Sequence, residues 1–377
     1  MTNKIERVKM QNLPILITAF YELNLAKSTP NSYKAKRTTK DYLEFFSFFA
    51  GLQNMIVVYT GSEIEDEILR LRKAQNLGDK TLIIKKPLDD FAPKERKIIE
   101  NTFAHYNQTI GRFDPTHPPH TSAEYDYLMY LKSFFVVDYI QNIARGGELD
   151  DNWRKRQNFI WFDFGFNFNG MYFKDRAQFN FALKADSAIS QTLFDDKIHL
   201  FSLGKIEQNH LPHILLNGTE HFLVGNIWAG NANAWCKFNM RMKEALYAFA
   251  SFQIMDDDQK MYLWVARNYP DECAIYEVDG WFSVLFYFIP AHLREKINVA
   301  TPSKLQTQKL EVKNLNNEIA TPEPLKTPIF VEGAVESAIA QKSKSQNLRD
   351  EFRDFKQKAN IARKQAKRVI KAIFNLR

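Results

Sequence analysis

Acidic side chains stand at two points of the sequence where they could take part in chemistry. Asp163 directly follows the hydrophobic run of residues 158–162, and three aspartates occupy positions 256–258. A carboxylate at the carboxyl end of a buried strand can bind a divalent cation, and that cation can neutralise a nucleotide diphosphate. The alternative role for such an aspartate is to form a turn. We predict that Asp163 is a metal ligand.

The three adjacent aspartates suggest an acid–base function. Neighbouring carboxylates repel one another, so the pKa of at least one of them should rise. Such a group could take a proton from an acceptor hydroxyl, which makes Asp257 and Asp258 the predicted catalytic residues. The alternative is that the acids only cap the following helix and compensate its dipole. Under both interpretations this segment begins a helix.

Two further segments carry groups suited to holding a phosphorylated, hydroxyl-rich ligand. Lys132, in a predicted helix that precedes the Asp163 strand, brings a cation to the same neighbourhood, and residues 224–235 are predicted to form a loop rich in glycine and asparagine. Glycine lets a backbone approach a ligand closely, and asparagine bonds hydroxyl groups. The residues predicted to bind the ligand are Tyr130, Lys132, Gly225, Asn226, Gly230 and Asn231.

Short runs of branched and aromatic residues predict the strands that must position these groups. They are residues 13–20, 55–60, 81–84 and 158–163, with helices predicted at 41–52, 63–75 and 124–144. Strands that alternate with helices are typical of a parallel sheet covered on both faces. The predicted fold class is α/β, with a Rossmann-like, mainly parallel sheet flanked by helices.

The later part of the domain is predicted from the same signals. Strands are expected at 198–203 and 221–228, helices at 235–252 and 256–268, and a mostly extended segment at 273–290. Ligands bind at the carboxyl ends of the strands in open α/β sheets. We therefore expect Asp163 and the glycine-rich segment to meet at that edge, and one of the acids at 256–258 to face the same cavity as Asp163.

The composition excludes several classes of protein. Two cysteines, Cys236 and Cys273, cannot form a disulfide framework, so nothing points to an oxidising compartment. No stretch approaches the roughly 18 apolar residues of a membrane span. The apolar run at 13–20 is short and contains Pro14, which favours a strand over a signal peptide. We expect a cytoplasmic protein.

The positive charge is concentrated at the end of the chain. Residues 356–377 hold eight basic side chains and no acid, which more than accounts for the net charge of +7. The remaining chain is close to neutral, which argues against a nucleic-acid partner. The predicted organisation is a domain at 1–300, a flexible proline-containing linker at 301–345 and a basic amphipathic helix at 346–377.

Apolar residues recur every three or four positions in that last segment, with the cations beside them. Such a stripe is typical of helices that bind an anionic membrane surface. Self-association as a coiled coil, giving a homo-oligomer, and docking on the chain's own body are the alternatives. We expect peripheral binding to the inner face of the cytoplasmic membrane.

Four segments, in their order along the chain, are similar to those of one bacterial family. They are residues 17–21, 56–60, 161–165 and 225–235, the last followed by the acidic start of a helix. Over roughly residues 11–290 the chain resembles the HtrL/YibB family, which is associated with surface-polysaccharide genes and thought to be glycosyltransferase-like. The resemblance implies a GT-A-type fold that transfers sugar from a nucleotide-diphospho-sugar to a lipooligosaccharide, capsule or O-antigen precursor.

The resemblance also implies where a metal, Mn or Mg, would bind. GT-A proteins usually place two acids, separated by one residue, on the metal strand, but here Trp161 stands in place of the first acid. His292 lies where such proteins often supply a metal-binding histidine, so Asp163 and His292 form the implied metal site. The missing acid favours an alternative function, a non-catalytic membrane-associated factor in polysaccharide assembly that retains the fold. A nucleotidyl- or phosphotransferase is a further alternative.

Overall fold

Four hydrophobic runs form neighbouring parallel strands, as predicted: β1 (Ile15–Phe20), β2 (Ile56–Thr60), β3 (Thr81–Lys85) and β4 (Asn158–Phe162). The computed structural model describes residues 13–25, 33–61, 63–107, 117–146, 149–168, 175–185, 192–207, 210–212, 223–294 and 307–308. The predicted linker and basic C-terminal segment lie outside these residues, except for the short strand at 307–308.

The sheet continues with strands of both directions. They are β5 (Ile198–Ser202), β6 (Ile227–Asn231), β7 (Cys273–Glu277) and β8 (Thr307–Gln308). The strand order is β3-β2-β1-β4-β6-β5-β7-β8, with β6 antiparallel to β4 and β5, and β8 antiparallel to β7. The chain thus has an α/β, Rossmann-like fold with a mostly parallel mixed sheet. Because β8 pairs with β7, the sheet extends past the domain boundary predicted at residue 300.

Helices cover both faces of the sheet. The longer ones are α1 (Thr39–Phe49), α2 (Glu65–Lys73), α3 (Pro93–Ala104), α4 (Ala123–Tyr130), α5 (Lys132–Asp138), α6 (Ala232–Ser251) and α7 (Asp258–Asn268). The helix predicted at 124–144 is present in three successive pieces, since α4 and α5 follow each other directly and a π-helical turn, Tyr139–Ile143, completes it. Within the described residues no helix is long and apolar enough to cross a bilayer.

The core consists of two layers separated by the sheet. Successive side chains of a strand point to opposite faces, and accordingly Ile15 and Ile17 join the cluster formed with α5, α6 and α7. Leu16 and Phe20 instead join the cluster formed with α1 and α2. Buried phenylalanines occur in both layers of the core.

Two predictions of local structure are wrong. The segment 225–235 is not a loop: it contains β6 and the first turn of α6, where the Asn231 side chain caps the helix. Within 273–290 only the first five residues are extended, and Ser283–Tyr287 forms a 3-10 helix. Hydrophobic runs of this length do not distinguish a strand from a buried turn of helix.

Candidate functional site

A cavity of about 450 Å³ opens at the carboxyl ends of β1 and β4. Its walls include residues 19–23, from the last residues of β1 onward, and residues 163–166 after β4, so it occupies the edge where open α/β sheets bind ligands. The volume lies in the range typical of small-molecule sites. Its charged lining residues are Glu22, Lys34, Arg37, Lys132, Asp163, Asp257 and Asp258.

Helices α4 and α5 contribute one wall through residues on a single helical face. Tyr125, Leu128, Met129 and Lys132 all line the cavity, at intervals of three, four and seven residues. Tyr130 belongs to the other face: it is buried in the core and does not line the cavity. The structure therefore brings the predicted Lys132 to the site but not the predicted Tyr130.

Asp163 stands at the carboxyl end of β4, as predicted. Its backbone N–H donates to the Asn226 carbonyl at 2.9 Å, and its Oδ1 accepts a hydrogen bond from Nε1 of Trp161 at 2.8 Å. The side chain of Asp163 is 31% exposed, whereas that of Asp258 is 2% exposed. Asp163 is therefore the more accessible of these two carboxylates.

The ammonium group of Lys132 lies between two of the predicted acids. Its Nζ is 2.8 Å from Oδ2 of Asp258 and 3.3 Å from Oδ1 of Asp163, and it donates to the Gly225 carbonyl at 3.0 Å. Burial would lower the pKa of this amine, but the charges of Asp163 and Asp258 outweigh burial and raise it. Lys132 is thus a buried cation at neutral pH.

The acidic segment does begin a helix, and it also faces the cavity. Asp257 caps α7 by accepting a hydrogen bond from the N–H of Gln259, and both Asp257 and Asp258 line the cavity. Asp258 also accepts a hydrogen bond from the hydroxyl of Tyr262. Burial raises the pKa of Asp258 to about 6, opposed by Lys132 and reinforced by Asp257. The predicted capping role is therefore present in Asp257, which together with Asp258 also lines the cavity.

Gly225 and Asn226 lie at the site because β6 runs antiparallel to β4, which places the start of β6 beside the end of β4. A Cβ atom added to Gly225 would lie 3.4 Å from a carboxylate oxygen of Asp258 and 3.5 Å from Nζ of Lys132. Asn226 donates to the Trp281 carbonyl, and its Oδ1 is buried without a hydrogen-bonding partner among the described residues. That oxygen could accept a hydrogen bond from a ligand.

The same antiparallel direction takes Gly230 and Asn231 away from the site. They pair with the start of β4, at the opposite edge of the sheet, and the Asn231 side chain contacts Asp196 there. The prediction that these two residues line the site is wrong. Their types suggested a loop, but the local sequence carries no sign of the direction in which β6 runs.

Two cations of the site were not predicted. Lys34 belongs to the 3-10 turn Tyr33–Lys36 and Arg37 follows it, and both line the cavity. Lys34 donates to the Tyr125 hydroxyl, and the Arg37 guanidinium lies 4.8 Å from the ring centroid of Phe168. Burial lowers the pKa of Lys34 to about 8, with Asp257 opposing this effect. The signal available was the basic run 34–37 directly before the N-cap of α1.

The side chains implied as metal ligands do not form a metal site. His292 is exposed in the short helix Ala291–Arg294 and does not line the cavity with Asp163. One carboxylate oxygen of Asp163 and one of Asp258 already contact the Lys132 ammonium. Throughout the described part of the chain, no group of three His, Cys, Asp or Glu residues could hold a metal ion. The donor set therefore does not fit a divalent cation.

Comparison with known proteins gives a family but no activity. Residues 14–289 match the family described as "Bacterial protein of unknown function (HtrL_YibB)". The chain is 21% identical over 272 residues to Protein HtrL of Escherichia coli (strain K12), an alignment that covers 70% of this chain and 87% of that protein. No solved structure matches. The chain, whose site joins Asp163, Lys132 and Asp258 at the sheet edge, belongs to the HtrL/YibB family.

Proposed function

We propose that this chain is a glycosyltransferase that moves a sugar from a nucleotide-diphospho-sugar to a hydroxyl of a surface-glycan precursor. One observation carries the proposal: a cavity of about 450 Å³ at the carboxyl edge of the sheet combines accessible acid, cations and aromatic walls. A nucleotide-diphospho-sugar needs all three. Its flat base stacks on aromatic rings, its dianionic diphosphate binds cations, and the acid activates the acceptor hydroxyl that attacks its sugar.

Asp163 is the carboxylate that we assign to the acceptor. Its side chain is 31% exposed, and none of the described hydrogen bonds uses its Oδ2. In the transfer, the acceptor oxygen bonds to the anomeric carbon as its proton passes to Asp163. The bond from that carbon to the phosphate oxygen breaks, and its electron pair leaves with the nucleoside diphosphate. A positioned base of this kind typically contributes about 10²- to 10⁴-fold to the rate.

Asp257 and Asp258, predicted from the sequence as the catalytic pair, receive a different role in this proposal. Each is at most 3% exposed. Asp258 already accepts hydrogen bonds from Lys132 and Tyr262, and Asp257 caps α7. Carboxylates used in this way hold the cations and the helix in place, so we describe them as positioning residues.

Aromatic rings complete the lining. Phe164, Phe168 and Trp281 contribute to the cavity walls, and flat rings offer faces on which a base or a sugar can stack. The buried Oδ1 of Asn226 supplies an acceptor for a ligand N–H or O–H group. These groups would orient the donor without taking part in bond breaking.

The test is a transfer assay with a panel of UDP-, GDP- and dTDP-linked sugars and extracted glycolipid acceptors, read by mass spectrometry of the nucleotide and glycan products. We expect one donor to be consumed and its nucleotide released. Binding of a nucleotide sugar without any turnover would instead favour the non-catalytic assembly factor. Release of inorganic pyrophosphate or transfer of a phosphoryl group would favour the nucleotidyl- or phosphotransferase.

A further inference from the structure

We propose that the site carries its own cations, so that Lys34 and Arg37 hold the diphosphate of the donor while Lys132 occupies the position of a metal. This inference rests on the proposed function and names the groups that recognise its substrate. It replaces the divalent metal implied by the family resemblance with side chains of this chain.

The first step concerns the hydrogen-bonding capacity of Lys132. An ammonium group has three N–H donors and no acceptor. In this structure three oxygens surround Nζ, at 2.8 Å from Asp258, 3.0 Å from Gly225 and 3.3 Å from Asp163. Its donors are therefore all used by the protein. Lys132 organises the acids but has no donor left for a phosphate.

The second step concerns competition for the same place. A divalent ion bound between Asp163 and Asp258 would have to displace the ammonium, whose side chain is only 6% exposed. The displaced charge would then be buried without its partners, which is strongly unfavourable. If both cations stayed, they would repel each other at short range. The arrangement therefore favours a site that works without a bound metal.

The third step identifies two other cations that line the cavity and could contact the diphosphate. Lys34 and Arg37 line the cavity from one short segment, and the charges of Asp257 and Asp163 act on Lys34. The Arg37 guanidinium is oriented by the Phe168 and Phe45 rings, at 4.8 and 5.5 Å from their centroids. A planar guanidinium matches two phosphate oxygens at once, and a lysine adds a point charge. Together they could balance a diphosphate of two negative charges.

Calorimetric titration of the full-length chain tests this inference. UDP, GDP and inorganic pyrophosphate would each be titrated in EDTA and again in excess Mn²⁺. We expect binding of pyrophosphate and of at least one nucleotide in EDTA, with little gain from Mn²⁺. Arg37→Gln and Lys34→Gln should each weaken that binding roughly tenfold or more, since each removes a charge-assisted hydrogen bond to phosphate, the stronger kind of hydrogen bond.

Lys36 provides the matched control, because it belongs to the same turn but is exposed and does not line the cavity. Lys36→Gln should bind like the wild type, and circular dichroism should show that all three variants are folded. Binding that requires Mn²⁺, or that is unchanged in Arg37→Gln and Lys34→Gln, would overturn the inference while leaving the transferase proposal intact. Metal-free binding without transfer of any sugar would leave the inference intact and overturn the transferase proposal. No binding of any of the three under either condition would also overturn the inference, whereas the transferase proposal is decided by the transfer assay.

Discussion

Nζ of Lys132 lies 2.8 Å from Oδ2 of Asp258, and both side chains are buried beside the cavity. Asp258 opens α7 and Lys132 opens α5, so the ion pair joins two helices of the same layer at the point where the ligand would bind. A buried pair of this kind adds little net stability, but removing one partner leaves the other charge uncompensated.

Replacing Lys132 by methionine should therefore destabilise the fold. We expect the free energy of unfolding to fall by about 3–5 kcal/mol, because Asp258 would remain buried without its cation. Denaturant unfolding followed by tryptophan fluorescence measures this loss. The double variant Lys132→Met, Asp258→Asn should recover most of the stability but no turnover, since Asp163 also loses its cation. A double variant as unstable as the single one would contradict this account of the pair.

Replacing Asp163 by asparagine should leave the fold intact and abolish activity. The amide can still accept the hydrogen bond from Trp161, but it cannot take a proton from an acceptor. Once the donor has been identified, we expect kcat to fall at least about hundredfold. The thermal midpoint should change little. Wild-type turnover in Asp163→Asn would show that the proton goes to another group.

Donor binding should weaken as the pH rises above about 8, because burial lowers the pKa of Lys34 to about that value. Below that pH the amine is cationic and attracts the diphosphate; above it the amine is neutral and the attraction is lost. Other charged or titratable groups act on Lys34 or share the cavity with it: Glu22, Arg37, His117, Lys132, Asp163, Asp257 and Asp258.

The affinity should be measured by calorimetry from about pH 7 to pH 9. The variant Lys34→Arg keeps its positive charge over this range, so its affinity for the nucleotide should change much less. The comparison with this variant also corrects for titration of the nucleotide itself. An equal decline in the wild type and in Lys34→Arg would assign the pH dependence to a different group.

Removal of residues 346–377 should release the protein from anionic liposomes. This segment lies outside the described residues, so the expectation rests on its eight basic side chains and apolar stripe. Each cation near such a surface contributes about 1 kcal/mol, an attraction that salt screens. Co-sedimentation with phosphatidylserine vesicles measures it, with phosphatidylcholine vesicles as the control. If truncation instead lowers the oligomer size in light scattering and vesicle binding persists, the segment mediates self-association.

The sequence allowed the acidic part of the site, Asp163 and the aspartates at 256–258, to be predicted. The run before Asp163 is buried on both faces, which is typical of a central parallel strand, and the acids at 256–258 begin a helix as their capping ability suggests. A strand of that kind ends at the ligand-binding edge. The meeting of Asp163 with Asp258 followed from these two local signals and the fold class.

The remaining errors concern long-range geometry. The direction of β6 decides that Gly225 and Asn226 reach the site while Gly230 and Asn231 do not. The pattern of a short apolar strand does not predict whether it runs parallel or antiparallel to its neighbour. Arg37 reaches the cavity from the connection that follows β1, where no periodic pattern fixes the path of the chain. Such positions depend on tertiary packing, which local propensity does not encode.

The buried contact between Lys132 and Asp258 also constrains how this protein can diverge. A change at either position alone leaves an unmatched charge in the core, so evolutionary drift at one position is blocked until the other changes too. Across related chains, positions 132 and 258 should therefore vary as a correlated pair, either both charged or both neutral. Relatives with the neutral combination would have lost the cation beside Asp163 and, with it, the chemistry of this site.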